Sequence, residues 1–124
     1  MRKLALCALL LCALAALPAC QKQAVTAPIP GQINSFDGYA YRTLMDAQAF
    51  LNSIRSQVTY GSLVLSTSQK QAFNAATEAY NTAEASYLTY HAAAGSNPDP
   101  TALTQALSAL VANLTQLATT TGGK

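Results

Sequence analysis

Residues 103–118 read LTQALSALVANLTQLA. Five leucines recur in this stretch at alternating intervals of four and three residues: Leu103, Leu107, Leu110, Leu114 and Leu117. This spacing places their side chains along one side of an α-helix. Just upstream, Asp99 followed by Pro100 is typical of a helix start, with a capping side chain and then a proline at the first helical position. The stretch therefore predicts a helix over about 100–118 that buries a leucine-rich face.

The same alternation of intervals occurs earlier, between residues 33 and 58, and predicts a helix over about 34–59. Asn34 or Ser35 has the side chain to cap its start. Asp37 is the one charged residue in this otherwise apolar row, and it lies in the first turn, where a negative charge is favoured by the helix dipole.

A third row of this kind predicts a helix over about 67–94, in which Ser66 or Ser68 starts a capping box with the glutamine three residues later. Large aromatic residues and alanines alternate in the row: Phe73, Ala76, Tyr80, Ala83, Tyr87, Tyr90 and Ala94. That alternation is needed where rings on one helix fill the space left by alanines on its neighbours. We expect this row to lie in the core.

Three amphipathic helices with short connections predict an all-α fold, an up-down-up three-helix bundle with coiled-coil-like packing over 34–119. In the first connection, Leu63, Val64 and Leu65 are expected to plug the end of the bundle. Residues 120–124 are expected to form a disordered tail. The alternative arrangement is a pair of long helices that dimerise, with the third helix docking across them.

Charge is distributed unevenly along the 124 residues. Arg2 and Lys3 are the only charged side chains before Cys20, and the rest of the chain carries five positive and five negative ones. A neutral body of this kind lacks the clustered Lys and Arg that nucleic-acid binding requires, so no nucleic-acid partner is expected.

The first nineteen residues have the layout of a secretory signal peptide: a short positive start, an apolar run and a small residue before Cys20. The alternative is an uncleaved membrane anchor. The apolar run from Leu4 to Ala19 would span only about 24 Å as a helix, which is shorter than a hydrocarbon core of about 30 Å.

Leu17-Pro18-Ala19-Cys20 resembles the lipobox of bacterial lipoproteins. The resemblance implies cleavage after Ala19 and lipid modification of Cys20, with Leu17, Pro18 and Ala19 as the cleavage motif. It therefore implies a membrane partner through the acyl chains, since two or three chains give stable anchoring. Cleavage at the same place with release of a free protein is the competing interpretation.

Residues 20–33 are expected to form a flexible tether, because Pro28, Pro30 and Gly31 interrupt any regular helix. Fully extended, Gln21 to Gln32 would reach up to ~40 Å. An Asp directly after the modified cysteine would resemble the inner-membrane retention signal of enterobacterial lipoproteins. This chain has Gln21 in that position. The resemblance thus implies delivery to the outer membrane in a host with two membranes.

The sequence contains no familiar catalytic, phosphate-binding or metal-binding motif, and we expect no catalytic residues, no metal site and no cofactor. His91 is the only histidine, and the carboxylates nearest to it in sequence, Glu84 and Asp99, share no helical register with it. We expect it to be an exposed residue without a catalytic role. Tyr39, Tyr41 and Tyr60 lie outside the apolar rows and are the candidate partner-facing aromatics.

These features predict a lipid-anchored envelope protein that is not an enzyme and acts as an accessory, interaction or structural protein with an envelope protein as partner. One alternative is a hydrolytic or ligand-binding envelope protein. That alternative requires a pocket lined by His91 with a carboxylate within hydrogen-bond reach. Another is a lipoprotein of a mobile element that excludes competing elements at the cell surface.

Overall fold

The computed structural model describes residues 34–93 and 98–122, which form three helices: α1, Ser35–Thr59; α2, Thr67–Ala92; and α3, Thr101–Gly122. The three pack against one another without any strand in these ranges, which confirms the all-α three-helix bundle. The predicted signal peptide, tether, Cys20 and its cleavage motif lie outside the described residues.

The start of α1 is capped by Asn34, whose side-chain oxygen accepts a hydrogen bond from the Asp37 amide at 2.9 Å. After Thr59 the chain turns at Gly61, which has a φ of +71°. Glycine adopts this left-handed conformation without the steric clash that a Cβ atom introduces. Residues that commonly cap or terminate helices, Asn34 and Gly61, therefore explain both ends of α1.

The start of α2 has the predicted capping box, formed by Ser66 and Gln69. Gln69 is also buried, and its side-chain amide donates a hydrogen bond of 2.8 Å to the Thr120 carbonyl at the end of α3. This bond joins the start of one helix to the end of the other, so α2 and α3 are antiparallel.

The start of α3 is held by Asp99, whose carboxylate accepts hydrogen bonds from the Thr101 amide and hydroxyl at 2.9 and 2.7 Å. These bonds lower the pKa of Asp99. At its other end α3 continues to Gly122, so the expectation that residues 120–122 belong to a disordered tail is wrong. Hydroxyls of Thr119, Thr120 and Thr121 bond to carbonyls three or four residues back, as they do on a continuing helix.

The buried positions of α1 and α3 keep the alternating intervals read from the sequence. They are Ala40, Leu44, Ala47, Leu51 and Ile54 on α1, and Leu103, Leu107, Leu110, Leu114 and Leu117 on α3. On α2 the fully buried positions are mainly alanines, and α2 packs more closely against α3 than against α1. Small side chains permit this close approach.

The aromatic residues of α2 differ from the expectation that all of them lie in the core. Tyr90 is buried, but Phe73, Tyr80 and Tyr87 are only partly buried and pack at its edge. These three are spaced by seven residues and follow one line along the helix. The alanine line between α2 and α3 leaves no room for rings, so the rings lie beside it.

Three cross-helix contacts set the register between α1 and α2: Asp37 with His91, Tyr41 with Tyr87, and Arg55 with Phe73. A step forward along α1 is matched by an equal step backward along α2, which is the pattern of an antiparallel pair. Together with the antiparallel α2 and α3, this confirms the up-down-up order.

The first connection plugs the bundle less completely than the sequence suggests. Leu65 is buried and Leu63 packs against the core, but Val64 is exposed. Three consecutive apolar side chains in an extended segment point in alternate directions, so the middle one faces away from the core. None of the helices in the described residues is both long enough and apolar enough to cross a membrane.

Candidate functional site

The start of α1 and the end of α2 bring together a group of polar and aromatic side chains, which we call the Asp37 cluster: Asn34, Asp37, Tyr87, Tyr90 and His91. Asp37 is its centre. The Asp37 side chain is only 2% exposed, although it belongs to the first turn of a helix. A buried carboxylate needs hydrogen-bond or charged partners, because burial removes the water that solvates its charge.

His91 supplies the first of these partners. Its Nδ1 atom lies 2.9 Å from an Asp37 carboxylate oxygen, and 41% of the His91 side chain is exposed. The antiparallel register of α1 and α2 makes this contact, since the two residues lie at similar distances from the connection between the helices. The carboxylates nearest to His91 in sequence are Glu84 and Asp99, whereas its partner is Asp37 on the adjacent helix.

Tyr87 supplies a second partner. Its hydroxyl lies 3.4 Å from the Nδ1 atom of His91 and also hydrogen-bonds the Asp37 carboxylate. Burial raises the pKa of Tyr87, and the negative charge of Asp37, the neighbouring Tyr41 and the hydrogen bond to Asp37 raise it further. The protonated hydroxyl is thus the form that this environment favours.

Aromatic rings close the inner side of the cluster. Tyr90 is buried, and its hydroxyl accepts a hydrogen bond of 3.0 Å from the Asn34 side-chain amide. The ring of Phe36 meets Tyr90 edge to face, with centroids 5.4 Å apart. Asn34 therefore caps α1 with its oxygen and binds α2 with its nitrogen, so one residue both starts a helix and joins it to its neighbour.

The Asp37 cluster contains few groups that could take part in a reaction. If Nδ1 donates to Asp37, the imidazole is held in one tautomer with Nε2 as the acceptor, the arrangement in which histidine acts as a base. The hydroxyl that contacts His91 is that of Tyr87. Among the described residues, no group of three metal-binding side chains occurs.

A hydrolytic site requires the carboxylate partner that His91 has, together with a pocket lined by His91. A pocket among the described residues lies between α2 and α3, beside Ser86, Tyr90 and Leu103. His91 does not line it. Within the part of the chain that the structure describes, His91 has the carboxylate partner, and the contacts of the cluster link two helices.

The three candidate partner-facing tyrosines lie in different surroundings. Tyr39 is partly buried and stacks on Phe36, with ring centroids 6.4 Å apart. Tyr41 is partly exposed and contacts the ring of Tyr87. Tyr60 is 85% exposed, at the opposite end of the bundle from the other two. Of the three, Tyr60 presents the most surface to a partner.

The end of the bundle around Tyr60 carries several other exposed side chains. We call Arg55, Val58, Tyr60, Val64 and Lys70 the distal tip, because they lie at the far end of α1 from Asn34. Val64 is 87% exposed, and Val58 is also exposed. Apolar side chains that are exposed to solvent often mark an interaction site when several of them occur together.

Sequence reasoning missed the pairing of Asp37 with His91, although one signal pointed to it. Asp37 interrupts an apolar row, and a charged residue at a core position needs a partner from a facing helix. Pairing the predicted helices as an antiparallel hairpin places the end of α2 opposite it, where His91 is the only positively ionisable side chain. Comparisons with protein-family models, curated proteins and solved structures find no match to this chain.

Proposed function

We propose that the chain is a lipid-anchored protein of the bacterial cell envelope that acts through protein contacts and not through catalysis. The observation that carries this proposal is the tetrad Leu17-Pro18-Ala19-Cys20 at the end of an apolar run. Its resemblance to a lipobox implies acylation of Cys20, and the acyl chains hold the protein at the membrane surface.

The contacts within the bundle support a non-catalytic role. The Asp37 carboxylate is the group in the cluster that could best assist a reaction through His91. It is buried and hydrogen-bonded to side chains of the adjacent helix. Burial keeps the Asp37 carboxylate itself from a substrate, whereas 41% of the His91 side chain is exposed. Here the hydrogen bonds that would activate His91 also hold the first turn of α1 to the last turn of α2.

The tether supports a role at some distance from the lipid surface. Thirteen residues separate Cys20 from Asn34, a length of up to ~43 Å when extended, and α1 adds about 37 Å along its axis. The distal tip is therefore the part of the protein best able to reach beyond the headgroups. Delivery to the outer membrane, which Gln21 implies, belongs to the same proposal.

Replacement of the modified cysteine tests the proposal. Full-length protein carrying Cys20→Ser is expected to lose incorporation of radiolabelled palmitate and to move from the membrane fraction to the soluble fraction. Cys12→Ser is the matched control, because Cys12 lies inside the apolar run and leaves with the signal peptide. If the Cys20→Ser protein still sediments with the membrane and the label is unchanged, the proposed function is wrong.

A further inference from the structure

The distal tip combines exposed apolar side chains with two basic ones. Tyr60 and Val64 are 85% and 87% exposed, and neither is needed to cover the core, which Leu63 and Leu65 cover from the same connection. Gly61 bends the chain between α1 and the connection with its positive φ. An aromatic ring and an aliphatic side chain are therefore exposed at this end of the bundle.

The basic side chains of the distal tip are Arg55 on α1 and Lys70 on α2. The Arg55 guanidinium lies 5.8 Å from the centre of the Phe73 ring and bonds to the Asn52 side chain, so its position is fixed. Lys70 precedes Phe73 by three residues and lies on the same side of α2. The register of α1 and α2 sets Val58 opposite Lys70, which continues the apolar surface between the two charges.

No carboxylate offsets these charges within the described residues of this half of the bundle. Between residues 47 and 77 the only charged side chains are Arg55 and Lys70, and α3 has none. Every carboxylate of α1 and α2 lies at the level of Glu78 or closer to the Asp37 cluster. The distal tip is thus a positive region with an apolar centre.

We propose that the distal tip docks into an apolar pocket with an acidic rim on another protein of the envelope. This inference rests on the proposed function and names the partner's chemistry. Charge complementarity selects the acidic rim, because a positive patch meets a negative one at a productive interface. Tyrosine and arginine are also the residue types that most often dominate binding energy.

The shape of the distal tip favours a protein pocket over two other ligands. A lipid surface is held by extended apolar faces or by several acyl chains, and two projecting side chains add little to the anchor at Cys20. A glycan stacks on the Tyr60 ring but leaves Val58 and Val64 without apolar partners. A protein pocket with an acidic rim matches the ring, both valines and the two positive charges at once.

Site-specific photo-crosslinking in cells tests this proposal. The full-length protein carries p-benzoylphenylalanine at position 60 or 64, and at the exposed positions 81 or 88 of α2 as controls. We expect positions 60 and 64 to yield one and the same protein adduct, and positions 81 and 88 to lack it. Circular dichroism of each variant checks that the helices are intact.

Charge substitutions make the test specific to the proposed chemistry. Lys70→Glu is expected to lower the adduct yield at position 60 about tenfold, whereas Lys70→Arg keeps the charge and is expected to change it less than twofold. Lys70 is exposed and forms no part of the core, so both variants are expected to fold. A yield that Lys70→Glu leaves unchanged overturns the proposal.

The remaining outcomes also decide the question. Four outcomes contradict a protein pocket as the binding partner. They are an adduct to lipid, an adduct to peptidoglycan (which lysozyme digestion removes), equal labelling at the control positions, and no adduct at all. Fractionation of the same cells separates this inference from the proposed function. Membrane retention that depends on Cys20, without an adduct from the distal tip, refutes only the inference. Retention that survives Cys20→Ser refutes the proposed function.

Discussion

The Asp37 cluster and the distal tip lie at opposite ends of the same pair of helices and use their side chains in opposite ways. In the Asp37 cluster a carboxylate is buried and rings cover it, so polar groups lie inside. In the distal tip an aromatic ring and a valine are open to solvent while two basic groups flank them. The Asp37 end buries a charged group, whereas the distal tip carries Tyr60 and Val64, which are more exposed than the exposed apolar side chains Tyr41, Met45 and Leu88 of the other half.

The difference teaches which residues the fold requires. Asp37, His91 and Asn34 connect α1 to α2, and removal of His91 takes away one of the hydrogen-bond partners of the buried Asp37 carboxylate. Tyr60 and Val64 have little contact with the core, so the fold places no demand on their identity. Exposed apolar residues that occur together, as these do, often mark an interaction site.

The largest expected effect concerns the link between Asp37 and His91. In a double-mutant cycle with Asp37→Ala and His91→Ala, we expect a coupling free energy of roughly 1–3 kcal/mol, because either single change breaks the bond at 2.9 Å. The free energy of unfolding is measured by urea titration of the mature chain carrying Cys20→Ser. Additive effects of the two changes would show that the bond contributes nothing to stability.

A smaller loss of stability is expected at Gly61, which links α1 to the distal tip. Gly61→Ala forces a side chain into a φ of +71°, although no atom lies within 4 Å of the added Cβ. We expect a loss of about 1 kcal/mol from backbone strain alone. Gly61→Asn is the control, since asparagine tolerates this conformation better and is expected to lose less. Equal losses for the two variants would argue against backbone strain as the cause.

The Asp37 cluster is also expected to respond to alkaline pH through Tyr87. Its pKa is raised in the folded chain, so its contribution to stability is complete below pH 10 and is lost as the pH rises through the folded value. Tyr87→Phe removes the ionisable hydroxyl. Urea titrations between pH 8 and 11 should therefore show a shallower loss of stability for the variant than for the parent chain, and parallel curves would contradict this.

The smallest effect on stability is expected at the distal tip. Tyr60→Ala and Val64→Ala remove large side chains from open surface, and we expect each to change the free energy of unfolding by less than about 0.5 kcal/mol. Leu63→Ala, from the same connection, is the control, because its side chain packs against the core and its loss should be larger. A loss at Tyr60 as large as that at Leu63 would remove the contrast between the two ends.

Much of the fold was predictable because its signals are local. The leucines of α3, the cap at Asn34 and the Ser66 and Gln69 capping box each depend on residues close together in sequence. The end of α3 was not predictable in this way. Its threonines resemble a loop, but their hydroxyls bond back to the helix and Thr120 receives the Gln69 side chain from α2.

The candidate site depends on contacts between distant residues, which composition and spacing do not reveal. Asp37 and His91 are 54 residues apart, and only the register of α1 against α2 brings them together. The spacing of the aromatic residues of α2 predicts that they lie in the core. The close approach of α2 and α3 moves Phe73 and Tyr80 to the edge, a result of helix packing that periodicity does not encode.

The central claim is that the Asp37 cluster holds the fold together while the distal tip is free for a partner. Hydrogen exchange of the parent chain, His91→Ala and Tyr60→Ala tests it most directly, since amide protection reports local stability. We predict that His91→Ala lowers protection in the first two turns of α1 and the last two of α2, and that Tyr60→Ala leaves protection unchanged throughout. Unchanged protection in His91→Ala, or an equal loss in Tyr60→Ala, would contradict the claim.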